Sequence, residues 1–132
     1  MVVQLRIARS VIAELLAEAR RAAPEECCGL LLGASGIASI APAANVAPDR
    51  RREFEIDPRT LIAAHKAERS GGTKLLGYYH SHPAGGAEPS ATDRARAAGD
   101  GRIWAIVGTG EVRFWRDTPS GFESLCHTLA DD

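Results

Sequence analysis

Cysteine is scarce in this chain: three in 132 residues, two of them adjacent at Cys27 and Cys28. Three thiols cannot build a disulfide framework, so we expect a reducing, cytoplasmic setting. The adjacent pair should point to opposite sides of a strand and pack in a core. Net charge is nearly absent too, at -1, which removes any broad electrostatic case for nucleic acid or an anionic membrane as partner. No apolar run is long enough to span a bilayer, and the N-terminus lacks the charged-then-apolar layout of a signal peptide. Internal repeats, long linkers and low-complexity tracts are also missing. The remaining composition, 45% hydrophobic, is enough for the modest core of one domain over residues 1–132.

Against that plain background stands Tyr79-His80-Ser81-His82-Pro83, followed by Ser90 and Asp93. Lys74 to His80 is apolar and aromatic, bounded by Gly71-Gly72 and Pro83, which is a strand signal. Alternation along a strand turns His80 and His82 to one side and Ser81 to the other. Ala84 to Pro89 reads as a turn-rich loop, and a helix is expected from Ser90 through Ala98. Asp93 in its first turn can face back toward the strand end. Two imidazoles and a carboxylate are three ligands for one divalent ion, and three rather than four leave the open position of a catalytic site. A plainer reading competes for the last of them. Ser90 with Asp93 three residues on is also a helix-capping pattern.

A second stretch, Pro24-Glu25-Glu26-Cys27-Cys28-Gly29-Leu30-Leu31-Leu32-Gly33, runs an acidic pair into an apolar strand. A hydrolytic metal site needs a base beside its water that is not itself a ligand. Glu25 or Glu26 fills that need if this strand neighbours the one carrying His80. A solvated helix-to-strand junction is the structural alternative.

Together the two stretches resemble the JAMM metallopeptidases, the MPN domains with an intact metal motif. That signature sets a Glu shortly before a Cys-Gly-Leu-Leu-like strand, then His-Ser-His-Pro, then a Ser three residues before an Asp. The resemblance selects Glu26 over Glu25 as catalytic glutamate, gives Ser90 to the tetrahedral intermediate, and makes His80, His82 and Asp93 the metal ligands. Arg52-Glu53-Phe54-Glu55-Ile56-Asp57-Pro58 matches a further segment of the compact bacterial members linked to ubiquitin-like sulfur carriers. The resemblance implies one zinc ion per chain. It also implies cleavage of a peptide or isopeptide bond at the Gly-Gly tail of a ubiquitin-like or sulfur-carrier protein. Two alternatives stay open: hydrolysis of small or cell-wall peptides, and a metal-stabilised binding module without catalysis.

For the rest of the chain we expect a strand over Val2 to Ile7 and an amphipathic helix over Ser10 to Ala23. Ile12, Leu15, Leu16, Ala19 and Ala23 form the buried stripe of that helix. Strands over Cys28 to Gly33 and Ala38 to Ala41 should flank Ala34-Ser35-Gly36. Asn45 to Arg52 should be a polar loop, its arginines solvated or set to meet an acidic partner. Asp57 and Pro58 should open a helix that runs to about Arg69. Ile103 to Val107 and Val112 to Trp115 should form a hairpin, with a last strand over Phe122 to Cys126. His65 and His127 should lie at the surface without a task. The fold class is therefore α/β, a mixed sheet between helices, which the resemblance sharpens to a three-layer, cytidine-deaminase-like sandwich. The deaminase signature Pro-Cys-x-x-Cys with His-x-Glu is absent, so base deamination is not expected.

Overall fold

A computed structural model describes residues 4–130. Eleven elements follow in order: β1 (Leu5–Ala8), α1 (Arg9–Ala22), β2 (Cys28–Gly33), β3 (Ile37–Ala43), α2 (Pro58–Arg69), β4 (Lys74–Ser81), α3 (Ala91–Arg96), β5 (Ile103–Val107), β6 (Val112–Thr118), β7 (Gly121–Leu125) and β8 (His127–Ala130). The strands make one mixed sheet in the order β7-β6-β5-β4-β2-β3-β1-β8. β4 sits at its centre, antiparallel to β2 and parallel to β5.

Alternation along the strands sorts the core into two faces. Leu31, Tyr79, Ala105, Val107 and Phe114 pack with Val11 and Leu15 of α1. Cys28, Leu30 and Leu75 pack on the other face with Leu61 and Ala64 of α2, beside Trp104, Ile106 and Trp115. Cys27 and Cys28 accordingly fall into opposite clusters. Helix, sheet and helix give the three expected layers. α2 starts as its sequence dictates, with Asp57 accepting from the Arg59 amide and Pro58 in the first turn.

Three expectations need correction. Val11, fully buried, belongs to the α1 stripe, whereas Ala23 is an exposed cap outside the helix. The site helix is shorter than Ser90 to Ala98, running Ala91–Arg96, because Ser90 is its N-cap and Ala97 is already extended. The first strand begins at Leu5, and positions 2 and 3 of the expected one lie outside the described residues.

β8 was not expected at all. Only Cys126 separates it from β7, yet the two strands occupy opposite edges of the sheet. One residue can join them only if the sheet curls until its edges approach. The Leu5 amide donates to the Cys126 carbonyl, extending the β1–β8 ladder to the joining residue. Leu5 and Leu125, one from each edge region, both pack against the cluster that holds α1. Curling wraps the sheet around that helix.

The strand carrying the His pair is tied down where β4 meets β5. A Cβ on Gly77 would come within 1.7 Å of the Ile103 carbonyl oxygen. We expect Gly77→Ala to force the two strands apart and cost at least about 2 kcal/mol, read as a lowered denaturation midpoint. Amide exchange should rise along β4 and β5 before it rises in α2.

Candidate metal centre

β4 ends at Ser81, and its alternation puts His80 on the Trp104 face, fully buried. Phe54 stacks on the His80 ring at 4.2 Å and 17°, while Trp104 meets it edge-on at 5.6 Å. His82 follows just past the strand, its amide bonded to the Val107 carbonyl. Its Nδ1–H donates to the Gly86 carbonyl at 2.8 Å. That bond holds the ring with Nε2 toward Asp93, where a neutral ring would turn its Nε2 lone pair to an ion.

Asp93 closes the group from the first turn of α3. His80 Nε2 and His82 Nε2 stand 3.0 and 3.1 Å from Asp93 Oδ2, and 3.2 Å from each other. Among the described residues, these three form the one group of His, Cys, Asp or Glu arranged to hold a metal ion. The triangle can be tested against an ion's size. Donors ~2.0–2.1 Å from a tetrahedral centre lie roughly 3.3 Å apart along each edge, close to what the three atoms show. Two imidazoles and a carboxylate are also a donor set that zinc accepts.

The capping reading of Ser90 and Asp93 holds in the same atoms. The Asp93 amide donates to Ser90 Oγ at 3.1 Å, and the Ser90 amide donates to Asp93 Oδ2 at 3.0 Å. The capping box therefore fixes the oxygen that faces both rings. Burial raises the Asp93 carboxyl pKa, but the hydrogen bonds from His80 and His82 outweigh it and hold the group well below the usual carboxylate range. Burial lowers the pKa of His80, favouring the neutral ring a metal requires.

Glu26 approaches from β2. The β2–β4 ladder pairs Cys28 with His80 and Leu30 with Tyr78. Pairing persists one step further, as Ser81 N donates to the Cys27 carbonyl and Cys27 N to Ser81 Oγ. The same register sets Glu26 opposite His82, where facing residues have Cβ atoms about 4.5–5.5 Å apart. Glu26 is 5% exposed, and its Oε1 is buried with no hydrogen-bond partner among the described residues. Glu25 instead turns outward and pairs with Arg50 at 3.5 Å.

Burial pushes the Glu26 carboxyl up to about 7. Asp93, Glu53 and Asp49 add to the rise, and His82 opposes it. A carboxylate poised near neutrality, unligated and unpartnered, suits proton transfer at that pH.

Two contributors went unassigned in the sequence. Phe54 lay within a motif that named no task for it, and its stacking on His80 depends on tertiary contact. Asn45 donates to the Glu26 and Glu53 carbonyls and accepts from the Ala47 and Glu55 amides. It thereby ties the backbone of Glu26 to the loop that presents Phe54. An Asn opening a polar loop gives no local sign of this. Arg50, Arg51 and Arg52 are exposed, Arg50 toward Glu25 and Arg52 toward Asp49.

With this geometry in place, likeness to known proteins becomes informative. A family model described as prokaryotic homologs of the JAB domain matches residues 8–118. The chain is 36% identical over 110 residues to a desampylase from Haloferax volcanii, covering 78% of this chain and 79% of that protein. It is 37% identical over 110 residues to a probable TtuB-protein conjugate cleaving protease from Thermus thermophilus, covering 83% and 73% respectively. A Desulfitobacterium hafniense protein known by solution structure superposes with a TM-score of 0.84 at 29% identity, over 98% of this chain and 94% of its own.

Linkage fixes a pH test of the Glu26 environment. Its folded pKa lies above the ordinary value of 4.5. The stabilising contribution of the neutral form is therefore complete below 4.5 and lost as pH rises through about 7. In chelator-treated protein, Glu26→Gln should be more stable than wild type at pH 8, by on the order of 3 kcal/mol, and nearly equal to it at pH 4.5. Urea midpoints at the two pH values measure this.

Proposed function

The chain belongs to the family of prokaryotic JAB-domain homologs, compact relatives of the JAMM/MPN metallopeptidases. From that membership and the site geometry we infer that it is a zinc-dependent hydrolase. On this reading it cleaves a peptide or isopeptide bond at the Gly-Gly tail of a ubiquitin-like or sulfur-carrier protein. One observation carries the reading: three donor atoms 3.0–3.2 Å apart, with a buried, unpartnered Glu26 opposite one of them in register. The conjugate-cleaving names of the Haloferax and Thermus relatives point to the substrate class.

His80, His82 and Asp93 would hold the ion. When bound, zinc supplies Lewis acidity and lowers the pKa of water from ~15.7 toward about 7. The remaining steps belong to the side chains. Glu26 takes the proton from the attacking water, its raised pKa letting it keep that proton until the leaving amine needs it. Ser90 Oγ already accepts the Asp93 amide, so its own O–H is available to donate to the oxyanion. His82 keeps its ring orientation through the Gly86 carbonyl. The buried Trp104 and the half-buried Phe54 pack on the His80 ring and shield it from water. A thin glycine tail can reach such a centre as an extended strand laid along the sheet.

We expect Glu26→Gln to retain one zinc per chain by elemental analysis while turnover of a Gly-Gly-linked carrier conjugate falls at least about a thousandfold. His82→Ala should lose metal and turnover together. Equal zinc loss in both variants would remove Glu26 from the role of base. An intact, zinc-loaded chain silent on every carrier and peptide would favour a binding module instead. Ser90→Ala should lower kcat by about 10²–10³. Its loss of the α3 cap should also cost about 1 kcal/mol of stability, so kinetics and denaturation are to be measured on the same preparation.

A further inference from the structure

On the Trp104 face of the sheet, a trough of about 250 Å³ opens beside Asp93. Phe54, Ile56, Leu61, Tyr78 and Trp104 form its apolar walls. Phe54, Leu61 and Tyr78 pack into the clusters on this face yet remain only half-buried. Apolar surface is thus left open here. The trough joins the proposed centre at two points, since Asp93 forms part of its lining and Phe54 stacks on His80.

Size and charge narrow what it can take. Its volume falls below the roughly 300–1,000 Å³ of small-molecule and cofactor sites, so it suits a single side chain. The lining Arg96 is committed, paired with Glu53 at 3.1 Å and donating to the Phe54 carbonyl. It is a poor anchor for a phosphate. Glu55, the other charged group at the rim besides Asp93, opposes an acidic side chain.

Chain geometry selects which part of the substrate arrives. Under the proposed function, the two residues before the scissile bond are glycines without side chains. The next side chain upstream belongs to the third residue, about 10 Å away along an extended chain at ~3.3 Å per residue. The residue whose amine leaves lies immediately beside the bond. A pocket walled by a proposed ligand fits that nearer residue.

We propose that this trough is the subsite for the hydrocarbon of the leaving residue. Its occupant is either an aliphatic side chain on an α-linked residue or the methylene stem of a lysine joined through Nζ. The assignment rests on the hydrolase reading, since it places the trough relative to the bond being cut. Selectivity then comes from apolar burial against the three aromatic rings, Leu61 and Ile56. Discrimination of about tenfold or more per well-buried methylene is the ordinary scale for such a pocket.

The test uses the full zinc-loaded chain and one ubiquitin-like sulfur carrier. Its Gly-Gly tail is extended by Leu, Ala or Asp, or joined to lysine Nζ. We expect kcat/KM for Leu to exceed that for Asp at least tenfold, with Ala between them. The lysine conjugate, compared with Leu, distinguishes the two sources of hydrocarbon. Leu61→Asp should collapse the Leu preference while zinc content and circular dichroism stay unchanged. Leu61→Ala should reduce it several-fold, and serves should the first variant fold poorly.

Binding of the same four conjugates to zinc-loaded Glu26→Gln, followed by tryptophan fluorescence, provides a readout without turnover. Cleavage of all four at one rate overturns the subsite and leaves the hydrolase reading standing. No cleavage with Leu-selective binding kept overturns the hydrolase reading while supporting the trough. Neither cleavage nor selective binding overturns both.

Discussion

The ladder between β2 and β4 is the constraint on which the rest of the molecule depends. With Cys28 against His80, the imidazole falls on the Trp104 face and Glu26 falls opposite His82. A slip of one residue would turn His80 into the α1 cluster and Tyr79 onto the face it now leaves. The register is held from both sides of the sheet. Gly29 leaves room for the Tyr79 ring, whose Cε2 would lie 2.4 Å from any added Cβ, and Leu30 and Leu31 are both fully buried, one in each cluster. The apolar pattern of β2 thus fixes the placement of a carboxylate outside that strand. Packing, rather than any attraction between Glu26 and His82, brings the two together.

Burying polar groups this closely is expensive, and the environment divides the expense unequally. Asp93 and Glu26 are both less than a tenth exposed, yet their carboxyls shift in opposite directions. Asp93 receives hydrogen bonds from two imidazoles and a backbone amide, so its charge is favoured despite burial. Glu26 receives none at Oε1 and is driven toward its neutral form. Under the proposed function, two carboxyls pushed apart in pKa would set a permanent anion beside a proton carrier.

How much of this was legible in the sequence depends on how local each feature is. The His-x-His spacing, the Asp57-Pro58 helix start and the Ile103 to Val107 strand are set by period and cap chemistry within a few residues. They stand where the sequence places them. β8 left no such trace. His127 to Ala130 is short and mostly exposed, and it becomes a strand because curling brings β1 within pairing distance. Phe54 and Asn45 are similar cases. Neither has a distinctive local context, and each matters through partners brought near by the fold, as with Phe54 and His80, 26 positions apart.

Ser90 and Asp93 show why two sequence readings need not compete. Capping and ligation claim the same carboxylate, and both can be met because a carboxylate oxygen has more than one lone pair. Asp93 Oδ2 takes the Ser90 amide from one direction and faces both imidazoles from another. The cap supplies what a ligand most needs, a fixed rotamer on a fixed backbone. It also explains how a helix of only six residues can carry one corner of the site. α3 is too short to hold its own shape by propensity. The box at its first turn, with Asp93 buried against the strand end, ties it to β4. Removing either function of that side chain would therefore disturb the other.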